Sequence, residues 1–166
     1  MQPNALDPLE LAAWRGFLRV HSSLIHDLDH ELQAEHDLPL SSYEVLLTLA
    51  SAEGRQMRMS EVADSVLLSR SGLSRLCDRL ERQGLIERRE CDTDRRGFNA
   101  RLTDAGLERF RDAQRTHLDG VRRAFLAPLS RDDLRRLAGM WETVLPGAAE
   151  GGSRPERRGE RRPVAR

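Results

Sequence analysis

A chain of 166 residues with 39% apolar content is long enough for one domain with extensions, and can bury a core without a metal or disulfide staple. Its 27 basic residues, all arginine, balance 27 acidic ones, which excludes a uniformly polybasic binder of polyanions. No run approaches the ~18 apolar residues of a membrane span, the N-terminus has no secretory pattern, and Cys77 and Cys91 sit in unrelated contexts, so a reducing cytoplasm is expected.

In chain order, Asp7-Pro8-Leu9-Glu10 opens a first helix. Asp7 caps it, Pro8 takes the first helical position, and Glu10 is placed to complete a capping box. Phe17, Val20, His21, Leu24, Ile25, Leu28 and Leu32 then recur at helical spacing, carrying the helix to about residue 36, before Pro39. Ser41 to Glu44 reads as another capping box, feeding Val45, Leu46 and Leu49 and ending in the polar stretch Ser51 to Arg58. Ser60 caps a short third helix through Val62, Ala63 and Val66. Ser69 caps a fourth, which carries Leu73, Leu76, Cys77 and Leu80 on one face and is stopped by Gly84.

The period then changes. Leu85 to Glu90 and Phe98 to Leu102 read as two strands joined by a long hairpin loop, Cys91 to Gly97, with Arg95 and Arg96 at its tip. Helical spacing returns at Thr103 and continues through Leu107, Phe110, Leu118, Val121, Phe125 and Leu126, up to Pro128. Ser130 with Asp133 opens a last helix through Leu134, Leu137, Met140, Trp141 and Val144. The expected fold is mainly α with a small β-hairpin wing: a winged helix-turn-helix, its lobe spanning about 38–103, flanked by N- and C-terminal dimerisation helices. The domain covers residues 7–146, and the arginine- and glycine-rich tail 147–166 is expected to be disordered.

Charge is unevenly placed. Residues 69–101 carry nine arginines against six acids, whereas the first forty carry seven acids against Arg15 and Arg19. On a helical wheel the fourth helix turns Ser71, Arg75, Asp78 and Arg82 away from its apolar face, flanked by Ser74 and Arg79. Small polar residues let an N-terminal turn approach a major groove, arginine pairs bidentately with guanine, and Gly72 permits a close backbone approach. Any surface helix can carry arginines. Two short helices before this one and a basic hairpin after it make the DNA reading the stronger, because arginine suits a narrow, electronegative minor groove.

The stretch from Met57 to Gly106 resembles the MarR family of bacterial regulators. The matching residues are Ser60-Glu61-Val62-Ala63, Ser69-Arg70-Ser71, Ser74-Arg75-Leu76, Asp78-Arg79-Leu80-Glu81, Gly84-Leu85, Asp92-Thr93-Asp94-Arg95-Arg96 and Leu102-Thr103 with Gly106. The resemblance implies a homodimer held by the N-terminal and last two helices, bound to a pseudo-palindromic operator in double-stranded DNA. It implies repression as the commoner mode, and release by a small-molecule or oxidative signal. The DNA-contacting candidates are Ser69, Arg70, Ser71, Gly72, Ser74, Arg75, Arg79, Asp94, Arg95 and Arg96. The apolar stripes of helices 1, 5 and 6 independently call for a two-fold partner, because a small winged helix cannot cover them.

Other residues suggest sharper chemistry. His26 and His30 have metal-like spacing but face away from the apolar stripe without a further ligand, so no metal or cofactor is expected. His21 lies on the apolar face, either packed or, as the resemblance implies, lining an effector pocket between helix 1 and the DNA-binding lobe. Cys77 belongs to the core; Cys91 at the wing base is an alternative redox candidate. Trp14 and Trp141 read as dimer or core residues. No activated nucleophile or phosphate loop points to an enzyme. The remaining alternative is a winged-helix protein-interaction module, which needs no basic wing.

Overall fold

The computed structural model describes residues 5–66, 70–91 and 94–149, and within these every side chain except those of 64, 65, 70, 71, 90, 91 and 94–97. The chain divides into two compact units, Met1–Leu129 and Ser130–Arg166. In the first, α1 spans Pro8–His36, α2 Leu40–Ser51, β1 Gln56–Arg58, α3 Met59–Ser65, α4 Arg70–Arg82, β2 Ile86–Cys91, β3 Asp94–Leu102 and α5 Asp104–Val121. The second contains α6, Arg131–Val144.

The start of α1 follows its sequence. Asp7 accepts from the Leu9 and Glu10 amides at 2.7 and 2.9 Å, and Glu10 accepts the Asp7 amide at 2.8 Å. The start of α2 does not. Helix α2 begins at Leu40, so Ser41 and Ser42 lie inside its first turn rather than at a cap, and no side chain of its own caps it. Asp29 of α1 supplies the acceptor instead, taking the Leu40 amide at 2.8 Å. An orphan donor at a helix start can be satisfied by any well-placed carboxylate, whichever element carries it.

Helix α3 also starts one residue before the expected Ser60, at Met59, and Glu61 accepts the Arg58 amide at 3.2 Å. The expected cap Ser69 lies outside the described residues. A second difference is β1, three residues long, read from the sequence as part of a polar loop. It pairs antiparallel with β3, Met57 opposite Ala100, giving a sheet of order β1-β3-β2. Gln-Met-Arg is too short and too polar to show a strand period.

The hairpin also differs from expectation. β3 begins at Asp94, so the backbone of Asp94, Arg95 and Arg96 belongs to a strand rather than to a long loop. Residues 92 and 93 separate the strands and lie outside the described residues. The register, Ile86 opposite Leu102 and Glu90 opposite Phe98, shifts between Glu90 and Cys91, which faces Asp94. Alternation is lost at such an irregularity, which hides a strand from period-2 reading.

The core gathers Leu28 and Leu32 of α1 with Tyr43, Val45, Leu46 and Leu49 of α2, and Val62 of α3. It continues through Leu73, Leu76, Cys77 and Leu80 of α4, Ile86, Ala100 and Leu102 of the sheet, and Phe110 and Ala113 of α5. The whole apolar face expected of α4 is therefore buried. That of α1 is not: below Leu28 the helix is exposed, Trp14 and Val20 by about half. Trp14, Phe17 and His21 form a tilted ring ladder with centroids 6.0 and 6.1 Å apart.

One junction closes the α4–wing–α5 path. Gly84 stops α4 at φ +71°, as expected of a left-handed C-terminal glycine. The next carbonyl, of Leu85, accepts the Thr103 amide at 3.1 Å. The Thr103 hydroxyl donates to the Gly84 carbonyl at 2.7 Å and accepts the Gly106 amide at 3.0 Å, capping α5. A β-carbon on Gly106 would lie 2.0 Å from the Leu85 carbonyl oxygen and 2.8 Å from Leu102 Cδ1. Beyond Val121 the helical path widens into a π-helical turn, Arg122–Leu126, before Pro128. In the second unit, Ser130 and Asp133 form the expected capping box of α6. Met140, Trp141 and Val144 are exposed there.

Two predictions arise from this packing. Gly106→Ala forces backbone to move and should cost about 1–3 kcal/mol, read by denaturant unfolding; unchanged stability would contradict the close approach. His117 of α5 stacks on Tyr43, ring centroids 4.5 Å apart, with Nδ1 buried and without a hydrogen-bond partner. Burial pushes its pKa below the ordinary imidazole value of 6.5. Below that pH the unfolded chain takes up a proton that the folded chain resists, so stability is lost as pH falls through the window beneath 6.5. The melting temperature of wild type should therefore fall more steeply there than that of His117→Phe, and parallel curves would remove His117 from the balance.

Candidate nucleic-acid interface

Helix α4 turns one face into the core and the other to solvent. Leu73, Cys77 and Leu80 are at most 2% exposed. Ser74, Arg75, Asp78 and Arg82 are exposed, and Gly72 is half-buried. Arg75 stands at the middle of that outer face with neither hydrogen bond nor ion pair among the described residues, and Ser74 stands beside it. The side chains of Arg70 and Ser71 fall outside the described ones, as do those of Asp94, Arg95 and Arg96.

Several arginines of the basic stretch are engaged within the protein. Arg88 of β2 reaches across to α4, forming an ion pair with Asp78 and another with Glu81 at 3.7 Å. Its amide also donates to Glu81 at 3.3 Å. Glu87 takes Arg89 at 2.9 Å and Arg101 at 3.0 Å. The Arg88 pairs tie the wing base to α4, and the Glu87–Arg101 pair ties β2 to β3 within the wing. Exposed pairs of this kind contribute little individually, but they cancel charge that the sequence count assigned to the surface. The basic footprint is therefore narrower than nine arginines suggests.

Arg79 departs most from expectation. Its guanidinium donates to the hydroxyl of Ser42 in α2 at 2.8 Å, and the side chain is half-buried. Ser42 itself is 1% exposed. Cys77 is buried in the face beneath, and that burial pushes its thiol up to about 11, which leaves little thiolate at neutral pH. Cys91, the alternative redox candidate, has a side chain outside the described ones.

This architecture has clear relatives. Residues 36–97 match the family model described as MarR family. AbsC, a MarR family transcriptional regulator from Streptomyces coelicolor, is 38% identical, with 85% of this chain and 95% of that one aligned at a TM-score of 0.80. The chain belongs to the MarR family.

A second Streptomyces coelicolor member, Sco3205, whose structure is in complex with DNA, is 34% identical over 86% of this chain and 89% of its own, with a TM-score of 0.81. Among curated relatives, the transcriptional repressor MprA of Escherichia coli K12 is 33% identical over 103 residues, or 62% of this chain. The match spans 58% of MprA. Relatives of this kind are regulators rather than enzymes.

The MarR-type framework also carries a cleft of about 560 Å³ between α1 and α2. Its walls are His21, Ser22, Ile25, His26 and Asp29 of α1, with Leu40, Ser41 and Glu44 of α2. His21 thus stands in a cleft wall rather than in the core. Two carboxylates and two imidazoles line it, with no arginine, and partial burial raises the pKa of Glu44. The sequence reading found His21 but missed Asp29 and Glu44, because each is a solvated helix acid until the two helices are packed. Among the described residues no group of three or more His, Cys, Asp or Glu side chains is placed to hold a metal ion, and no helix is long and apolar enough to cross a membrane.

Proposed function

We propose that this chain is a sequence-specific transcriptional regulator, acting as a repressor, which binds a pseudo-palindromic operator as a homodimer. The observation that carries this reading is the outer face of α4: Ser74 and Arg75 exposed, Arg75 without a partner among the described residues, on a helix whose opposite face is locked into the core. A rigid helix with its core behind it and a hairpin beside it can enter a major groove. The 34% identical Sco3205 has been captured on DNA with the same framework.

In this reading Ser69, Arg70, Ser71 and Gly72 bring the start of α4 to the groove, Ser74 and Arg75 touch base edges or adjacent phosphates, and the wing follows the flanking minor groove. Arg95 enters that groove, with Arg96 beside it and Asp94 orienting the guanidinium. Residues 7–146 act as one functional domain, and the 147–166 tail adds at most nonspecific electrostatic affinity. A small molecule in the α1–α2 cleft, with His21 in its wall, releases the operator. The chemistry assigned to the protein is binding rather than catalysis, and the place of action is the bacterial cytoplasm.

The dimer follows from exposed apolar surface. Leu9, Trp14, Phe17, Leu18 and Val20 on α1, and separately Met140, Trp141 and Val144 on α6, are all at least 36% exposed. Stripes of this size are costly to leave in water and match a self-complementary partner surface. A two-fold protein also matches a two-fold operator.

Two outcomes are expected. Wild type should select a palindromic site from a random DNA library, and Arg75→Ala should cost about 1–3 kcal/mol on that site while relaxing one position per half-site. Unchanged selection would move the readout off Arg75, and no selection by wild type would favour a protein-interaction module. Phe17→Asp places a charge in the α1 stripe and should convert a sedimenting dimer into a monomer with weakened operator binding. A Phe17→Asp protein that still sediments as a dimer would show that the stripe is not the interface.

A further inference from the structure

The turn that begins α2 is shared by three helices. Its first amide, of Leu40, is held by Asp29 of α1 at 2.8 Å. Leu40, Ser41 and Glu44 form one wall of the α1–α2 cleft. Between them in sequence, Ser42 turns the other way, is almost wholly buried, and receives Arg79 of α4 at 2.8 Å. One turn of helix therefore touches the cleft on one side and the DNA-facing helix on the other.

Arg79 is poorly placed to read DNA. It lies nine residues beyond the first residue of α4, about 14 Å along the axis at 1.5 Å per residue, whereas base contacts come from the N-terminal part of a recognition helix. On the wheel it leans from Arg75 toward Leu76, the edge where the outer face meets the core. Its guanidinium also satisfies a hydroxyl that solvent barely reaches, and a buried hydroxyl stripped of its donor is destabilising. Leaving Ser42 for a phosphate would expose that cost.

Resting on the DNA-binding reading above, we propose that Arg79 is a positioning residue. Through Ser42 it fixes the angle of α4 against α2, and Asp29, which caps the same first turn of α2, holds that turn from the α1 side. The three side chains come from three helices, so the link exists only in the folded state.

The test is a double-mutant cycle on the full-length protein, with operator affinity measured from low to high salt. Ser42→Ala and Arg79→Ala should each weaken operator binding by on the order of tenfold, the double variant should be no weaker than the weaker single, and the salt slope should stay that of wild type. Asp29→Ala should weaken binding in the same way, and non-additively with Arg79→Ala. Arg79→Lys, which keeps a donor, should recover part of the loss. A phosphate contact gives the opposite pattern: Arg79→Ala lowers the salt slope by about one, while Ser42→Ala leaves affinity unchanged or raises it. That pattern, or simple additivity, overturns the proposal. The same cycle read by thermal unfolding without DNA should show Ser42 and Arg79 coupled, and independence there overturns the proposal even if a variant binds too weakly to titrate. A wild type that selects no DNA while the unfolding cycle shows coupling would locate the failure in the DNA reading instead.

Discussion

One carbonyl oxygen organises the DNA-binding half of this protein. The Leu85 carbonyl receives the Thr103 amide, the Thr103 hydroxyl bridges the neighbouring Gly84 carbonyl to the start of α5, and Gly106 has no β-carbon to keep α5 away. The end of α4, the base of the wing and the first turn of α5 are thereby fixed to one another. Rigidity here matters because a helix and a hairpin that engage adjacent grooves must keep a fixed relative angle. A side chain at Gly106 would have to displace the Leu85 backbone, since the contact there leaves no spare volume.

The arginines sort into two groups by what the tertiary structure offers them. Arg88, Arg89 and Arg101 are satisfied by Asp78, Glu81 and Glu87, and Arg79 by Ser42. Among the described residues Arg75 is left exposed and unpaired. A charged group already held by a neighbour must break that contact to take up a new one, whereas an unpaired arginine over a groove gives up little but hydration. Among the described side chains this leaves Arg75, on the outer face of α4, as the arginine of the basic stretch not already engaged within the protein.

Burial along α1 falls into two parts. Leu28 and Leu32 belong to the core, whereas Trp14, Phe17 and Val20 stand in solvent within the single chain. The C-terminal part of α1 thus packs on the winged helix, Asp29 and His21 line the cleft, and the N-terminal part leaves its apolar side chains in solvent.

Much of this was written in local sequence. The Asp7 and Ser130 capping boxes, the Gly84 stop, the buried face of α4 and the α-hairpin-α order are decided by residues within a turn or two of one another, and the structure agrees with each. The family motif was legible for a related reason, since Thr103 and Gly106 act at fixed short spacing. What sequence could not show were partnerships between distant segments. The cap of α2 comes from Asp29, eleven residues earlier on another helix, so a local serine box was the wrong guess. Strand β1 exists because β3 offers it hydrogen-bond partners, not because Gln-Met-Arg prefers extension. Arg79 looked like Arg75 on a helical wheel, and only the packing of α2 against α4 turned one toward Ser42 and left the other in water. Local spacing determines which face a residue occupies; what stands opposite that face is decided by the fold.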